Sequence, residues 1–171
     1  HALPERSALE EVAADLADLA DTAVSSTTVI DRFTGTGVLE RQQAIDLGAL
    51  GYVARACGLD IDARRDHAFC DLADALRVVV HHEGDVMSRF ACRRDEFAAS
   101  TELLTWLLDR LAATDGEPTH APLGRPATST SGVGIVEGWR GTIVHRVELD
   151  ADTSLTRVNV VDPSFFNWRA V

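Results

Sequence analysis

Hydrophobic residues recur at helical spacing through the first part of the chain and alternate with polar residues near its end. Close to the N-terminus this pattern predicts a helix from about Ser7 to Val24, and its first turn has the form of a capping box, Ser7-Ala-Leu-Glu10. The apolar stripe of this helix contains Leu9, Val12, Leu16, Leu19 and Ala23. The acidic residues between these positions are typical of a solvated face.

The longest predicted element is a helix over 86–113, about 42 Å long at 1.5 Å per residue, with Asp85 as its N-cap. Its apolar stripe consists of Val86, Phe90, Phe97, Leu104, Leu107, Leu108 and Leu111, while Arg89, Arg93, Arg94, Asp95 and Glu96 are predicted to face mainly outward. A short helix is predicted over 40–47, ending at Gly48. The run 77–80 is rich in valine and predicts a strand.

Beyond residue 113 the pattern changes. A loop rich in Pro, Gly, Thr and Ser over 114–130 precedes strands near 132–139, 141–150 and 155–161. The predicted class is α+β: one domain, 1–171, with a helical part (1–113), a loop (114–131) and a three-stranded antiparallel part (132–171). The closing aromatic residues, Phe165, Phe166 and Trp168, are predicted to cover the sheet.

Composition narrows the function classes. All 16 basic residues are arginine, and 27 acidic residues give a net charge of −11, which argues against nucleic acid or an anionic membrane surface as the main partner. No apolar run approaches the length of a membrane span, and no signal-peptide pattern is visible. The three irregularly spaced cysteines, Cys57, Cys70 and Cys92, indicate unpaired thiols of a cytoplasmic protein.

Several polar clusters could carry chemistry. Asp60, Asp62, Asp66 and His67 resemble a metal-binding set, but an EF-hand loop would need glycine and glutamate where Arg65 and Asp71 stand. A lattice of arginine–carboxylate pairs is the favoured interpretation. His81 and His82 are adjacent and so point in different directions, which favours a non-ligand role. The loop Gly35-Thr-Gly37 lacks the lysine and the third glycine of nucleotide-binding motifs.

A glycine-bracketed turn, Gly138-Trp139-Arg140-Gly141, joins the first two predicted strands. The glycines allow a tight hairpin turn. Arg140 carries five donors in a rigid fork, which suits small anionic or strongly accepting groups. A solvated hairpin tip is the alternative interpretation.

Five motifs together resemble the large subunit of group 4, membrane-bound nickel–iron hydrogenases of the formate hydrogenlyase type. That family is homologous to the D subunit of NADH–quinone oxidoreductase (complex I). The motifs lie at 31–39 (Asp-Arg-Phe-Thr-Gly-Thr-Gly-Val-Leu), 51–69 (Gly-x-x-x-Arg-Ala-Cys-Gly, then Asp-x-Arg-x-Asp-His-Ala-Phe), 84–93 (Gly-Asp-x-x-x-Arg-Phe-x-x-Arg), 136–145 (Val-Glu-Gly-Trp-Arg-Gly-x-x-x-His) and 162–168 (Asp-Pro-Ser-Phe-Phe-Asn-Trp).

The resemblance implies the candidate site residues Arg140, His145, Asp66 and Arg64. In the family's hydrogenases, the arginine matched by Arg140 lies near the diatomic ligands of the active-site iron. Complex I relatives more often have lysine there, preceded by Ala-Pro, so Gly-Trp-Arg favours the hydrogenase branch. Arg140 and Asp66 are expected to face one concave surface, and Arg89 and Arg93 are expected to reach the aspartates of 60–66.

The metal in this family is held by two Cys-x-x-Cys pairs, and this sequence has no such pair. No metal or cofactor site is therefore predicted within it. The parent either carries a nickel–iron centre on other residues or has lost it, as complex I has. Because the chain starts at His1, we expect a piece of a longer protein.

The implied function is part of an oxidoreductase of the hydrogenase or NADH dehydrogenase type. Its substrate is hydrogen or quinone, and the resemblance also implies NAD binding. Implied partners are an iron–sulfur small subunit and membrane subunits, which would hold the protein at the cytoplasmic face of the membrane. The alternative is a non-catalytic, hydrogenase-like scaffold that binds an iron–sulfur subunit. The chain alone is predicted to be inactive.

Overall fold

The computed structural model describes residues 3–114, 124 and 128–171. The described chain is mainly helical up to residue 113, as the hydrophobic pattern predicts. Its helices are α1 (Arg6–Ser25), α2 (Thr27–Phe33), α3 (Arg41–Leu47), α4 (Gly51–Arg55), α5 (Ala63–Asp66) and α6 (Val86–Ala113). A 3₁₀ turn, Ala73–Ala75, lies between α5 and α6, and α7 (Ser164–Asn167) follows the strands.

The strands form one antiparallel sheet in the order β1-β2-β3, with β1 at Thr130–Gly138, β2 at Gly141–Leu149 and β3 at Leu155–Val161. The register pairs Gly138 with Gly141 across the first turn, and a bulge lies between Glu148 and Leu149. The predicted α+β class, with helices first and an antiparallel sheet afterwards, is confirmed.

Helix α6 has the predicted bounds, and Asp85 caps its N-terminus. The Asp85 carboxylate accepts a hydrogen bond of 2.7 Å from the Ser88 amide and one of 2.8 Å from the Gly35 amide. Arg89, one turn into the helix, donates to the carbonyls of Gly84 and Gly37. The glycine loop after α2 is thereby attached to the start of α6.

Two clusters of buried side chains form the core, and Tyr52 of α4 packs against both. The first contains Leu39, Ala44, Ala49, Val53, Ala54, Cys57, Leu59 and Ala170. The second contains Ala56, Val79, Cys92 and Ala99. Helix α4 is therefore the centre of the fold, although it is only 5 residues long.

The N-terminal helix is present as predicted, but its capping box and the predicted strand at 77–80 are not. The helix α1 is capped by Glu5 without a side-chain hydrogen bond, so Ser7 and Glu10 do not form a capping box. Residues 77–80 form no strand; the chain that follows them bonds instead to the end of α4, where the His81 amide donates to the Arg55 carbonyl. Valines favour a strand only where a neighbouring strand offers a ladder.

The closing aromatic residues do not cover the sheet, contrary to the prediction. Phe165 and Trp168 are 73% and 78% exposed. Phe166 lies near Gly48, since a Cβ added there would be 3.7 Å from the phenyl ring. The end of the chain turns back to the helical part, where Asn167 bonds to Leu50 and Ala170 is buried in the first core cluster. Most of the predicted loop 114–131 lies outside the described residues.

Candidate functional site

The turn that carries Arg140 packs against the start of α4. We call residues Gly138–Gly141 the arginine turn. Gly51 and Gly141 have φ angles of +59° and +129°, and a Cβ at Gly51 would overlap the Arg140 carbonyl. A Cβ at Gly141 would lie 2.7 Å from the Gly51 nitrogen. Both positions therefore need glycine for conformation and for space, and the turn backbone touches the α4 backbone directly.

Asn167 of α7 holds this arrangement from the other side. Its Oδ1 accepts from the Leu50 amide at 2.9 Å, and its Nδ2 donates to the Leu50 carbonyl at 3.2 Å and to the Arg140 carbonyl at 2.9 Å. The Asn167 side chain is buried. One carboxamide thus joins the α4 N-terminus, the arginine turn and the chain end.

The Arg140 side chain lines a cleft on the surface of this junction. The cleft has a volume of about 480 Å³ and is lined by Tyr52, Val53, Arg140, Ser164, Asn167, Trp168 and Val171. Hydrogen bonds from Ser164 lower the pKa of the neighbouring Asp162, and the charge of Arg140 adds to this effect. The cleft combines an exposed guanidinium with hydroxyl groups and an indole, which can hold a small electron-rich group.

A buried ionic network lies behind the turn. Arg55 of α4 is 2% exposed and donates to Glu96 of α6 and, at 2.9 Å, to Glu137 of β1. Burial disfavours the charged guanidinium, but Glu96 and Glu137 outweigh it and raise the pKa of Arg55. Glu137 immediately precedes the arginine turn, so this network attaches the turn to α4 and α6.

The loop around α5 completes the network. Asp62 accepts from Arg64 through both oxygens, at 2.9 and 2.6 Å, and lies 3.6 Å from Arg55. Burial alone would raise the pKa of Asp62, but hydrogen bonds and charge from Arg64, together with Arg55, lower it. Glu137 also accepts from the Ala63 amide at 3.1 Å. The predicted arginine–carboxylate lattice is present here.

The predicted site residues have separate surroundings. Arg64 joins the buried network through Asp62, and Arg140 lines the cleft. Asp66 accepts from Arg65 at 2.8 Å and from the Asp62 amide at 2.9 Å, in the exposed outer part of the lattice. His145 is exposed on β2, opposite Gly134 and Val160. That Arg140 and Asp66 face one concave surface stays a prediction.

Sequence reasoning missed the residues that anchor the turn. Glu96 is buried, not outward-facing as predicted. The signal was its position four residues after Cys92, on the same buried face of α6. The expectation that Arg89 and Arg93 reach the aspartates of 60–66 is wrong. These aspartates are bonded by Arg55, Arg64 and Arg65. Arg89 donates to a backbone carbonyl instead, and Arg93 lies over the rings of Tyr52 and Trp139.

The three cysteines are free, as predicted, with Cys57 and Cys92 buried and Cys70 exposed. Burial and the nearby Glu96 raise the pKa of Cys92 to about 12. His81 pairs with Asp95 through Nε2, at 3.0 Å. Over the described part of the chain, no three His, Cys, Asp or Glu side chains converge as a metal site would require.

The fold of this chain is also found in a solved structure. A solved structure, "the membrane-bound sulfane sulfur reductase (MBS), an archaeal respiratory membrane complex", contains a chain that superposes with a TM-score of 0.78 over 95% of this chain, at 24% identity. The protein-family model of the 49 kDa subunit of respiratory-chain NADH dehydrogenase matches residues 5–130 of this sequence. The chain belongs to this 49 kDa subunit family.

Two curated relatives illustrate the likeness, and both are D subunits of NADH-quinone oxidoreductase. The one from Salinispora tropica, numbered 2 in that organism, is 39% identical over 65% of this chain and 29% of its own length. The one from Deinococcus radiodurans is 27% identical over 83% of this chain and 42% of its own length. The chain therefore spans less than half the length of these relatives, and 45% of the matched sulfane sulfur reductase chain.

None of the helices in the described residues combines the length and apolar character that crossing a membrane requires.

Proposed function

We propose that this chain is the part of a 49 kDa-type large subunit that presents Arg140 to the redox centre of a multisubunit, membrane-associated complex. The observation that carries the proposal is the construction of the arginine turn. Its backbone is held by Gly51, by Asn167 and through Glu137, while the guanidinium stays exposed in a cleft. An exposed charge on an anchored backbone is the arrangement that a preorganised site needs.

The role of Arg140 in this proposal is to hold or orient an electron-rich group in the cleft. Its fork of donors can bind such a group at a defined place, and Tyr52 and Ser164 line the same cleft with hydroxyls. The substrate in this proposal is hydrogen or quinone. The sequence Gly-Trp-Arg at 138–140 supports the hydrogenase branch of the family.

The residues of this chain do not fit a nickel–iron centre. Such a centre needs soft thiolate ligands that converge. Cys57 and Cys92 belong to two different core clusters, and Cys70 is exposed. Any thiolate ligands must therefore come from other parts of a full-length subunit.

The proposed partners are an iron–sulfur subunit and membrane subunits, which would hold the complex at the cytoplasmic face of the membrane. The likeness to the two NADH-quinone oxidoreductase relatives and to a chain of an archaeal respiratory membrane complex supports this assembly. The net charge of −11 also suits contact with protein partners better than direct contact with anionic lipids.

A scaffold is the second candidate. The observation that favours it is the lack of any Cys-x-x-Cys pair in 171 residues. A hydrogenase-like domain without metal ligands could still bind an iron–sulfur subunit through the same fold. The residues that flank this stretch in the full-length protein separate the candidates: cysteine pairs on both sides indicate hydrogenase, a His-Arg-Gly motif without cysteines indicates complex I, and neither indicates a scaffold.

The biochemical test uses the intact complex, purified from its source through a tag on the full-length large subunit. Three reactions would be measured: reduction of viologen by hydrogen, reduction of quinone by NADH, and reduction of sulfane sulfur by reduced viologen. Each would be measured for the natural protein and for Arg140→Ala, Arg140→Lys and Arg146→Ala. Arg146 is the matched control, since it is exposed on β2 and pairs locally with Glu148, at 3.0 Å. Sulfane sulfur is included because the matched structural neighbour reduces it.

We expect Arg140→Ala to lower the rate of the reaction that the complex catalyses about 10²–10³-fold, the loss typical of removing one preorganised donor. Arg140→Lys should give an intermediate rate, and Arg146→Ala should leave the rate unchanged. An assembled complex that is inactive in all three assays would support the scaffold instead. Full activity of Arg140→Ala would contradict the proposed role of the turn.

A further inference from the structure

Arg93 of α6 bridges two aromatic rings that belong to different parts of the fold. Its guanidinium carbon lies over the Tyr52 ring, 5.4 Å from the centroid, and over the Trp139 ring, 5.0 Å from the centroid. Tyr52 packs against both core clusters, whereas Trp139 is 49% exposed at the tip of the arginine turn. Arg93 thus connects an exposed indole to a ring that the core holds in place.

This contact holds Trp139, a residue of the arginine turn that the other anchors do not hold directly. Gly51 and Asn167 hold the backbone at Arg140, and Glu137 holds the strand before Gly138. Trp139 lies between these anchors and follows Gly138. The backbone of a glycine can adopt many conformations, so Trp139 is not fixed in place without side-chain contacts. A planar guanidinium can stack on aromatic faces, and so limits that freedom.

We propose that Arg93 is a positioning residue for Arg140: its contacts with Tyr52 and Trp139 keep the arginine turn in the conformation that directs Arg140 into the cleft. Tyr52 supports this because it also lines the Arg140 cleft, so one ring borders both the stacked guanidinium and the site. The functional consequence rests on the proposed function of Arg140, whereas the effect on the turn does not.

Helix α6 contains a matched control. Arg110 lies over the Trp106 ring at 4.7 Å, near the other end of the helix and away from the arginine turn. Arg110→Met removes a cation–aromatic contact of the same kind on the same helix. Any loss of α6 stability that is common to such contacts therefore appears in Arg110→Met as well as in Arg93→Met.

The first measurement is made on the 171-residue chain with Trp106→Phe and Trp168→Phe, which leaves Trp139 as the only tryptophan. Arg93→Met is expected to shift Trp139 emission to the red and to raise its acrylamide quenching constant about twofold. The effect is modest because each exposed cation–aromatic contact favours the observed conformation of the turn only by a factor of a few. Arg93→Lys keeps the charge but not the planar guanidinium, so its emission and quenching should be intermediate. In this background Arg110→Met removes a contact with the phenylalanine that replaces Trp106, and it should leave Trp139 unchanged.

The second measurement is made on the intact complex. Arg93→Met should lower kcat about tenfold, with a smaller effect on KM, because a small displacement of an orienting group costs turnover. The double variant Arg93→Met, Arg140→Ala should be no slower than Arg140→Ala alone, because both changes remove the same oriented guanidinium. A merely structural role would give additive losses.

The outcomes separate the two proposals. Unchanged Trp139 emission and quenching in Arg93→Met would overturn the positioning proposal, whatever the activity. A moved Trp139 with an unchanged kcat, in a complex where Arg140→Ala is impaired, would also overturn it. If the complex has no activity or Arg140→Ala is fully active, the proposed function fails, and the fluorescence result alone decides whether Arg93 holds the turn.

Discussion

The side chain of Asn167 donates a hydrogen bond of 2.9 Å to the backbone carbonyl of Arg140, 27 residues earlier in the chain. The same carboxamide exchanges two hydrogen bonds with the backbone of Leu50. The position of Arg140 therefore depends on a residue that follows the whole sheet, and on the first turn of a helix that precedes it.

Replacing Asn167 by alanine should reduce stability. The change leaves the Leu50 amide and the carbonyls of Leu50 and Arg140 without their partner, and a buried unsatisfied group costs about 1–3 kcal/mol. Urea unfolding followed by circular dichroism measures the free energy of unfolding. Asn159→Ala, on the exposed strand β3, is the matched control and should change it by less than about 0.5 kcal/mol. Equal effects of both substitutions would contradict this role of Asn167.

Replacing Arg55 by methionine should be more severe. The substitution preserves apolar bulk but leaves the buried carboxylates of Glu96 and Glu137 without their common cation. Breaking a buried ion pair by removing one partner costs about 3–5 kcal/mol. Thermal and urea unfolding check the loss, and Arg157→Met on exposed β3 serves as the control. If the chain with Arg55→Met unfolds at the midpoint of the natural protein, the network does not stabilise the fold.

Asp62 should contribute to acid denaturation. Its native pKa is lowered, since Arg64 and Arg55 outweigh the effect of burial. A lowered native pKa gives stability that is fully present above the unfolded value, about 3.9 for Asp, and is lost as pH falls through the native value. The free energy of unfolding of Asp62→Asn should therefore depend less on pH below about pH 4 than that of the natural protein or of Asp18→Asn. An identical slope in all three would contradict the prediction.

The thiols should react in two groups. Cys70 is exposed, whereas Cys57 and Cys92 are buried and burial raises the pKa of both, to about 12 for Cys92. A disulfide reagent at pH 8 should titrate one thiol in the native chain and three after unfolding without reductant. The variant Cys70→Ser should show none and two. One free thiol after unfolding would reveal a disulfide and refute the free state of all three cysteines.

The chain alone should neither retain nickel nor turn over hydrogen or quinone. Its thiols lie in separate places, so they do not supply the converging soft ligands of a nickel–iron site. Elemental analysis after expression in medium supplemented with nickel and iron, followed by dialysis against a chelator, checks this. Stoichiometric nickel after dialysis would contradict the expectation and direct attention to Cys57, Cys70, Cys92, His81 and His82.

The sequence predicted the arginine turn, but not the residues that anchor it. The glycine-bracketed turn and the role of Asp85 as a cap are local features, which depend on residues a few positions apart. Arg55, Glu96 and Glu137 come from three different elements, so the sequence does not show that they pair. Their pairing depends on how α4, α6 and β1 pack, and hydrophobic spacing does not encode that.

Local sequence was sufficient for the bounds of α6, the succession of helices before strands, and the hairpin that carries Arg140. Periodicity and capping act within a few residues, so they can be read along the chain. Tertiary packing was needed to show that 77–80 is not a strand, that Glu96 is buried, and that the closing aromatic residues do not cover the sheet. These outcomes depend on contacts between elements that are far apart in the sequence. Such contacts form only when the elements pack, so they cannot be inferred from neighbouring residues.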